Sequence, residues 1–183
     1  MQAVSNLNGL FNERFFKNVL PIPATNKFYP EVMPPDFQLP DLTNGRMVRL
    51  SDYRDRQPVV LAFTRIFTEK QYCPLCFPHI KALNEQYDRF LEQGVEVLTI
   101  ASTDQKQSQI VVRDLGLKMP LLSDPSCQVF RAYQVGQALG APLPAQFVLE
   151  PSGKLRYKHL FSFFHPNAEV ETLLTISHQW EQS

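Results

Sequence analysis

The sequence is poor in the features that would tie it together covalently, send it to a charged partner or carry it into a bilayer. Cysteine is scarce: three residues, an odd number in a chain of 183, cannot build the paired framework of a small disulfide scaffold. With 44% apolar residues one core can form without such staples, and a reducing, cytoplasmic compartment is expected. One-sided charge is missing too. Eighteen Lys and Arg balance eighteen Asp and Glu, with no run of five like charges, which argues against nucleic acid as a partner. No stretch reaches the roughly eighteen apolar residues of a membrane span. Glu13, Arg14 and Lys17 interrupt the first twenty residues, unlike the apolar run of a signal peptide. Internal repeats and low-complexity tracts are absent as well.

What is present reads as an α/β chain. Leu7, Leu10, Phe11, Phe15 and Val19 recur at steps of three and four, predicting an amphipathic helix over 5–20 that docks on its own domain or on a partner. Prolines crowd from Pro21 to Pro35 and deny the backbone helical angles and donors. Residues 1–33 therefore read as a helix with an extended linker, and 34–183 as the domain. FQLPDLTNGRMVRL offers a hairpin around Asn44-Gly45. PVVLAFTR (58–65) and VEVLTIAS (95–102) read as strands buried on both faces. Between them Ile80, Leu83, Tyr87 and Leu91 mark a helix that ends at Gly94. A second helix runs through VVRDLG, with Ser102, Thr103 and Asp104 as candidate caps. A PLLSD strand and a CQVFRAY helix come next. AQFVLE and KLRYKHLF then form a hairpin, and a last helix from about Pro166 to Trp180 carries Val170, Leu173, Leu174 and Ser177 on one side. Trp180 and the FSFF run at 161–164 read as core or edge packing. Strand-helix alternation implies parallel pairing in a layered sheet.

The stretch TEKQYCPLCFPHI, residues 68–80, places Cys73 and Cys76 at the first strand-to-helix junction. Residues three apart on a helical turn share a face, so the two sulfurs can be bridged with little backbone movement. A thiol at a helix start meets unsatisfied N–H groups and the positive end of the dipole, which favour the thiolate. Cys73 is thus the candidate nucleophile, and Cys76, one turn further in, the candidate resolver. Two alternatives stand beside the redox reading: buried packing thiols, and a zinc site of Cys73, Cys76 and His79 that has no fourth ligand nearby and no second CxxC. The redox reading is favoured by the βαβ context. No metal and no bound cofactor are expected. His79 reads as a solvated or capping side chain, or as a tuner of thiolate charge. Cys127 reads as an incidental thiol, or as a second partner for an oxidised Cys73.

The order of elements, with PPDFQLPDLTNGRMVRLSDYR, VVLAFTR, PLLSDPSCQVFRAY and AQFVLEPSGKLRY, resembles the alkyl hydroperoxide reductase and thiol-specific antioxidant family, the peroxiredoxin-like branch of the thioredoxin superfamily. The resemblance spans about residues 34–180. It implies a thioredoxin-like fold: a mixed central sheet flanked by helices, opened by a β-hairpin and here preceded by an extra helix. Cys73-Pro74-Leu75-Cys76 is similar to the CPxC form of the motif. The family's usual Pro and Thr before the reacting cysteine are replaced by Ile66 and Lys70, with Thr68 the nearest hydroxyl. Where the family places an Arg, Pro144 stands in PLPAQFV and resembles the cis-Pro that faces the cysteines of thioredoxins. Tyr72 resembles the aromatic that shields a thioredoxin-type thiol, and Arg65 is a candidate donor to a developing oxyanion.

The resemblance implies a thiol-disulfide oxidoreductase working through Cys73 and Cys76, re-reduced by an external dithiol of the thioredoxin or glutaredoxin type or by small thiols. A hydroperoxide substrate, reduced through a Cys73 sulfenic acid, is the alternative within the same chemistry. A non-catalytic binding module docked by its N-terminal helix is the alternative of another class. A homodimer is compatible with any of these.

Overall fold

The computed structural model describes residues 9–179. Its centre is a seven-stranded mixed sheet. Strands β1 (Gln38–Asp41) and β2 (Arg46–Arg49) form the opening hairpin; β3 (Val59–Phe63), β6 (Glu96–Ala101) and β7 (Leu121–Ser123) run parallel; β10 (Ala145–Leu149) and β11 (Leu155–Leu160) close it. The spatial order is β11-β10-β3-β6-β7-β1-β2, with β10 antiparallel to β3. Two small hairpins stand outside the sheet: β4 (Ile66–Thr68) with β5 (Gln71–Tyr72), and β8 (Gln137–Ala138) with β9 (Ala141–Pro142). The helices are α1 (Glu13–Lys17), α2 (Phe77–Glu92), α3 (Gln105–Leu115), α4 (Gln128–Ala132) and α5 (Val170–His178). None of them is long and apolar enough to cross a membrane.

The alternation of side chains along β3 explains why all five of its residues are buried. Leu61 and Phe63 point to one side, where Phe130, Tyr133 and Phe147 gather; Val60 and Ala62 point to the other, against Ile80, Leu83, Phe90 and Leu173. On the first side the rings pack edge to face: Phe63 lies 5.1 Å from Phe130 and 5.6 Å from Phe147, and Tyr133 lies 5.2 Å from Phe147. Each such pair contributes about 0.5–1.5 kcal/mol beyond burial of its area. On the other side, the expected face of the last helix is buried at Val170, Leu173, Leu174 and Ser177. Asp104 caps α3 by accepting the Gln107 N–H at 2.8 Å. In the opening hairpin Asp41 organises the turn, accepting from the Thr43 N–H at 2.9 Å, while Gly45 takes the positive φ of 66°.

Two readings of the sequence need correction. The N-terminal helix spans five residues, Glu13–Lys17, instead of 5–20. Asn12 caps it at one end through the Phe15 N–H (2.9 Å), and Asn18 ends it just ahead of Pro21. Leu7 lies outside the described residues. Phe11 and Val19, expected on the docking face, are exposed. The side chains that do engage the body are Phe15, which lies against Gly140, and Arg14, whose guanidinium bonds the Ser102 carbonyl (2.5 Å) and the Phe67 carbonyl. The second correction concerns FSFF: Phe163 and Phe164 are 87% and 92% exposed, because they fall after the end of β11 in a loop that turns outward. Trp180 lies outside the described residues.

From α1 the chain runs extended across the body. Ile22 bridges Gln137, the Thr25 N–H bonds the Gln134 carbonyl at 3.0 Å, Asn26 Nδ2 bonds the Tyr133 carbonyl at 2.6 Å, and the Glu31 N–H bonds the Leu155 carbonyl at 2.8 Å. Gly140 is the tightest point: its φ is +84° and a Cβ there would run into the Phe15 ring. Gly140→Ala should therefore cost about 1–3 kcal/mol of stability and make the chain cleavable by trypsin after Arg14 and Lys17. Gly45→Ala, also at positive φ but with open space around it, should leave those bonds protected.

Candidate active site

The end of β3 hands the chain to Arg65 and then to the β4–β5 hairpin, which returns it so that the Cys73 N–H bonds the Arg65 carbonyl at 3.3 Å. Cys73 then opens a single turn. Its carbonyl accepts the Cys76 N–H (3.0 Å) and the Phe77 N–H (2.9 Å). The second of these is a helical bond, but Pro78 has no N–H with which to make the next one, so α2 starts at Phe77 with Pro78 in its first turn. This corrects the expectation that both cysteines sit on the helix. Cys76 is the N-cap of α2, and Cys73 lies in the turn before it.

Both cysteines are withdrawn from solvent, Cys73 at 6% and Cys76 at 0% exposure, while Pro74 and Leu75 between them are exposed. All three cysteines are unpaired, so the pair is in its dithiol form. A hydrogen bond from the Cys76 thiol pulls Cys73 down to about 6; burial opposes this, while the Leu75 and Cys76 N–H groups and the Arg65 charge add to it. The same hydrogen bond, seen from its donor, pushes the Cys76 thiol up, and burial pushes it further. One sulfur is thus the favoured home of a negative charge and the other keeps its proton.

Arg65 stands over this pair. It is 92% buried, its guanidinium bonds the Ala138 carbonyl and Cys73, and it stacks on Phe67 with the carbon 4.8 Å from the ring centroid. Its Nε and the neighbouring Thr64 hydroxyl are buried without a hydrogen-bond partner. Tyr72 is half-buried, its ring 5.0 Å from Phe77 and its hydroxyl on the Glu69 carbonyl. The Thr68 hydroxyl accepts the Lys70 N–H at 3.2 Å and so closes the β4–β5 turn.

Other side chains fall elsewhere. Pro144 is buried immediately before β10, but no peptide bond among the described residues is cis, which corrects the cis-Pro expectation; trans is the favoured isomer of an X–Pro bond unless its surroundings select the other. His79 is pushed down to about 4 by burial, so it is neutral near pH 7 and brings no positive charge to the thiolate. Among the described residues no group of three or more His, Cys, Asp or Glu side chains is placed to hold a metal ion. Cys127 caps α4 and packs with Phe63, Phe130 and Tyr133; its sulfur takes Asn18 Nδ2 at 3.8 Å. The strand leading to it, β7, lies two places from β3 in the sheet.

Sequence reasoning missed Arg14, Gln146 and Asn167. A signal existed for Gln146, a lone polar residue in the apolar strand AQFVL; nothing local marked the other two.

Residues 31–158 match the AhpC/TSA family. The thiol-disulfide oxidoreductase ResA of Geobacillus thermodenitrificans is 35% identical over 123 residues, which are 67% of this chain and 64% of that protein. The chloroplastic peroxiredoxin Q of Triticum aestivum is 29% identical over 146 residues, 79% of this chain and 64% of that protein. The chain therefore spans just under two thirds of the length of these two relatives. The crystal structure of peroxidoxin BcpB from Mycobacterium tuberculosis superposes with a TM-score of 0.71 at 22% identity, covering 84% of this chain and 98% of that one. The fold is thioredoxin-like.

The pH dependence of stability follows from the thiolate. Because the fold lowers the Cys73 value, its stabilisation is fully present above the range of a free thiol and is lost as pH falls through about 6. Between about pH 6 and about pH 8.5, the reduced protein should gain unfolding free energy relative to Cys73→Ser. Parallel denaturant curves for the two proteins across that range would contradict the assignment.

Proposed function

The chain belongs to the AhpC/TSA family, and from that premise we propose that it is a thiol-disulfide oxidoreductase with Cys73 as nucleophile and Cys76 as resolver. The asymmetry of the pair carries the reading: adjacent sulfurs, one favoured as thiolate and the other held protonated. The Cys73 thiolate attacks one sulfur of a substrate disulfide. A Cys73–S bond forms, the substrate S–S bond breaks, and the leaving sulfur takes the electron pair and a proton. Cys76 then gives up its proton, attacks the Cys73 sulfur and releases the second substrate thiol. Two thiols of the chain have become a disulfide and the substrate has gained two electrons and two protons, with no bound cofactor in the balance. An external dithiol of the thioredoxin or glutaredoxin type, or small thiols, returns the pair to its starting state. A reducing cytoplasm suits this cycle.

A second reading is favoured by the unpaired donors. Arg65 Nε and the Thr64 hydroxyl, both buried, are of the kind that receives the oxygen leaving a peroxide as a thiolate attacks it. Cys73 would become a sulfenic acid, and Cys76 would condense with it to a disulfide and water. Against this reading, Ile66 and Lys70 occupy the positions where the family's Pro and Thr support that chemistry, and Ile66 is wholly buried in the core.

Mass spectrometry of the thiol-blocked protein after one equivalent of a small disulfide, and separately of hydrogen peroxide, tests both. The disulfide should produce a Cys73–Cys76 bridge, Cys76→Ser should trap the mixed disulfide on Cys73, and Cys73→Ser should abolish both products. A bridge formed faster with peroxide selects the second reading. No bridge with either oxidant contradicts the function.

A further inference from the structure

The Leu75 and Cys76 N–H groups turn back on Cys73: that of Cys76 bonds the Cys73 carbonyl at 3.0 Å, and both help to lower the Cys73 thiol. The Cys76 N–H belongs to the Leu75–Cys76 peptide unit, and the other end of that unit, the Leu75 carbonyl, accepts Asn167 Nδ2 at 2.9 Å. Asn167 is held in turn: its Oδ1 accepts Gln146 Nε2 at 2.9 Å. Gln146 is wholly buried in β10, and its own Oε1 accepts the Ala168 N–H at 2.8 Å. A buried amide is costly unless its polar atoms are bonded. Here both ends are used, and what they fix is the loop at 167–168, 21 and 22 residues further along the chain. Ala168 also bonds the His79 ring in the first turn of α2. One loop thus grips both the CPxC turn and the helix that follows it.

We propose that Asn167, held by Gln146, is a positioning residue for the Cys73 thiolate: it orients and polarises the Leu75–Cys76 peptide, whose N–H closes the turn back onto Cys73. Hydrogen bonds in series polarise one another, so an amide donor on the carbonyl makes the same peptide a better donor at its nitrogen. Without Asn167 the exposed Leu75 carbonyl turns to water and the peptide plane is free to tilt. The inference rests on Cys73 being the reacting thiol of the proposed function, but it is a statement about that sulfur's charge and does not require turnover.

The test is the rate of Cys73 alkylation by iodoacetamide in the reduced protein, located by mass spectrometry and followed across pH. The groups that titrate or carry charge against Cys73 are Cys76 and Arg65, and neither is altered. Asn167→Ala and Asn167→Ser should both move the midpoint upward and slow alkylation near pH 6 about threefold. Phe164→Ala, in the same loop but 92% exposed, should leave it in place. The proposal is overturned if the Asn167 variants keep the parent midpoint, even with a lowered melting temperature, since that is the mark of a merely structural side chain. It is equally overturned if Phe164→Ala moves the midpoint as far. If the parent protein forms no Cys73–Cys76 bridge with any oxidant while the Asn167 shift is found, the function fails and the positioning role stands.

Discussion

A negative charge on the sulfur of a buried cysteine is the constraint on which the rest of the site depends. Such a charge is tolerated only where fixed donors replace the lost hydration. The chain supplies them from four directions: the Cys76 thiol, the Leu75 and Cys76 N–H groups, and the Arg65 guanidinium. Each is delivered by a different piece of backbone logic. Pro78 starts α2 at Phe77, so Cys73 stands in the turn before the helix with the Leu75 and Cys76 N–H groups folded back towards it. The β4–β5 hairpin brings Cys73 back beside Arg65, and the β8–β9 hairpin holds Arg65 through the Ala138 carbonyl.

The N-terminal segment enters the same arrangement from outside. Phe15 lies on Gly140, between the two short strands that carry the Ala138 carbonyl, and Arg14 ties Phe67 of β4 to Ser102 at the end of β6. The hairpins on either side of Arg65 are therefore both in contact with α1. On the opposite side Gln146 and Asn167 brace the CPxC turn from β10. The sheet contributes rigidity: β3, filled on both faces, ends where Thr64 and Arg65 begin.

Much of the fold could be read in the sequence because it rests on periodicity. The continuous apolar runs of β3 and β6, the three-and-four stepping of α2 and α5, and the caps Asp104 and Gly94 are local signals that placed these elements, although α5 starts at Val170 instead of about Pro166 and Phe90, not Leu91, completes the buried face of α2. The two cysteines and Arg65 were legible as chemistry. The β4–β5 hairpin was not, because IFT and QY are too short to show alternation, and the helix start moved to Phe77 because a proline four residues after Pro74 outweighs the cysteine spacing. Asn167 was illegible for a different reason: its partners Leu75 and Gln146 come from distant parts of the chain, and an Asn before a helix looks like any capping residue. The FSFF run misled by composition, since apolar residues carry no instruction about which side of a loop they occupy.

The central claim is that the fold stabilises the Cys73 thiolate, and therefore the dithiol form, more than the disulfide. Equilibration of the Cys73–Cys76 couple against glutathione buffers, read by the fraction of bridged protein, tests it most directly. A stabilised dithiol form makes the couple a stronger oxidant, so its reduction potential should lie above the value of about −270 mV found for thioredoxin. A potential at or below about −270 mV would mean that the donors around Cys73 favour the dithiol form no more than those of thioredoxin do, and would contradict the account.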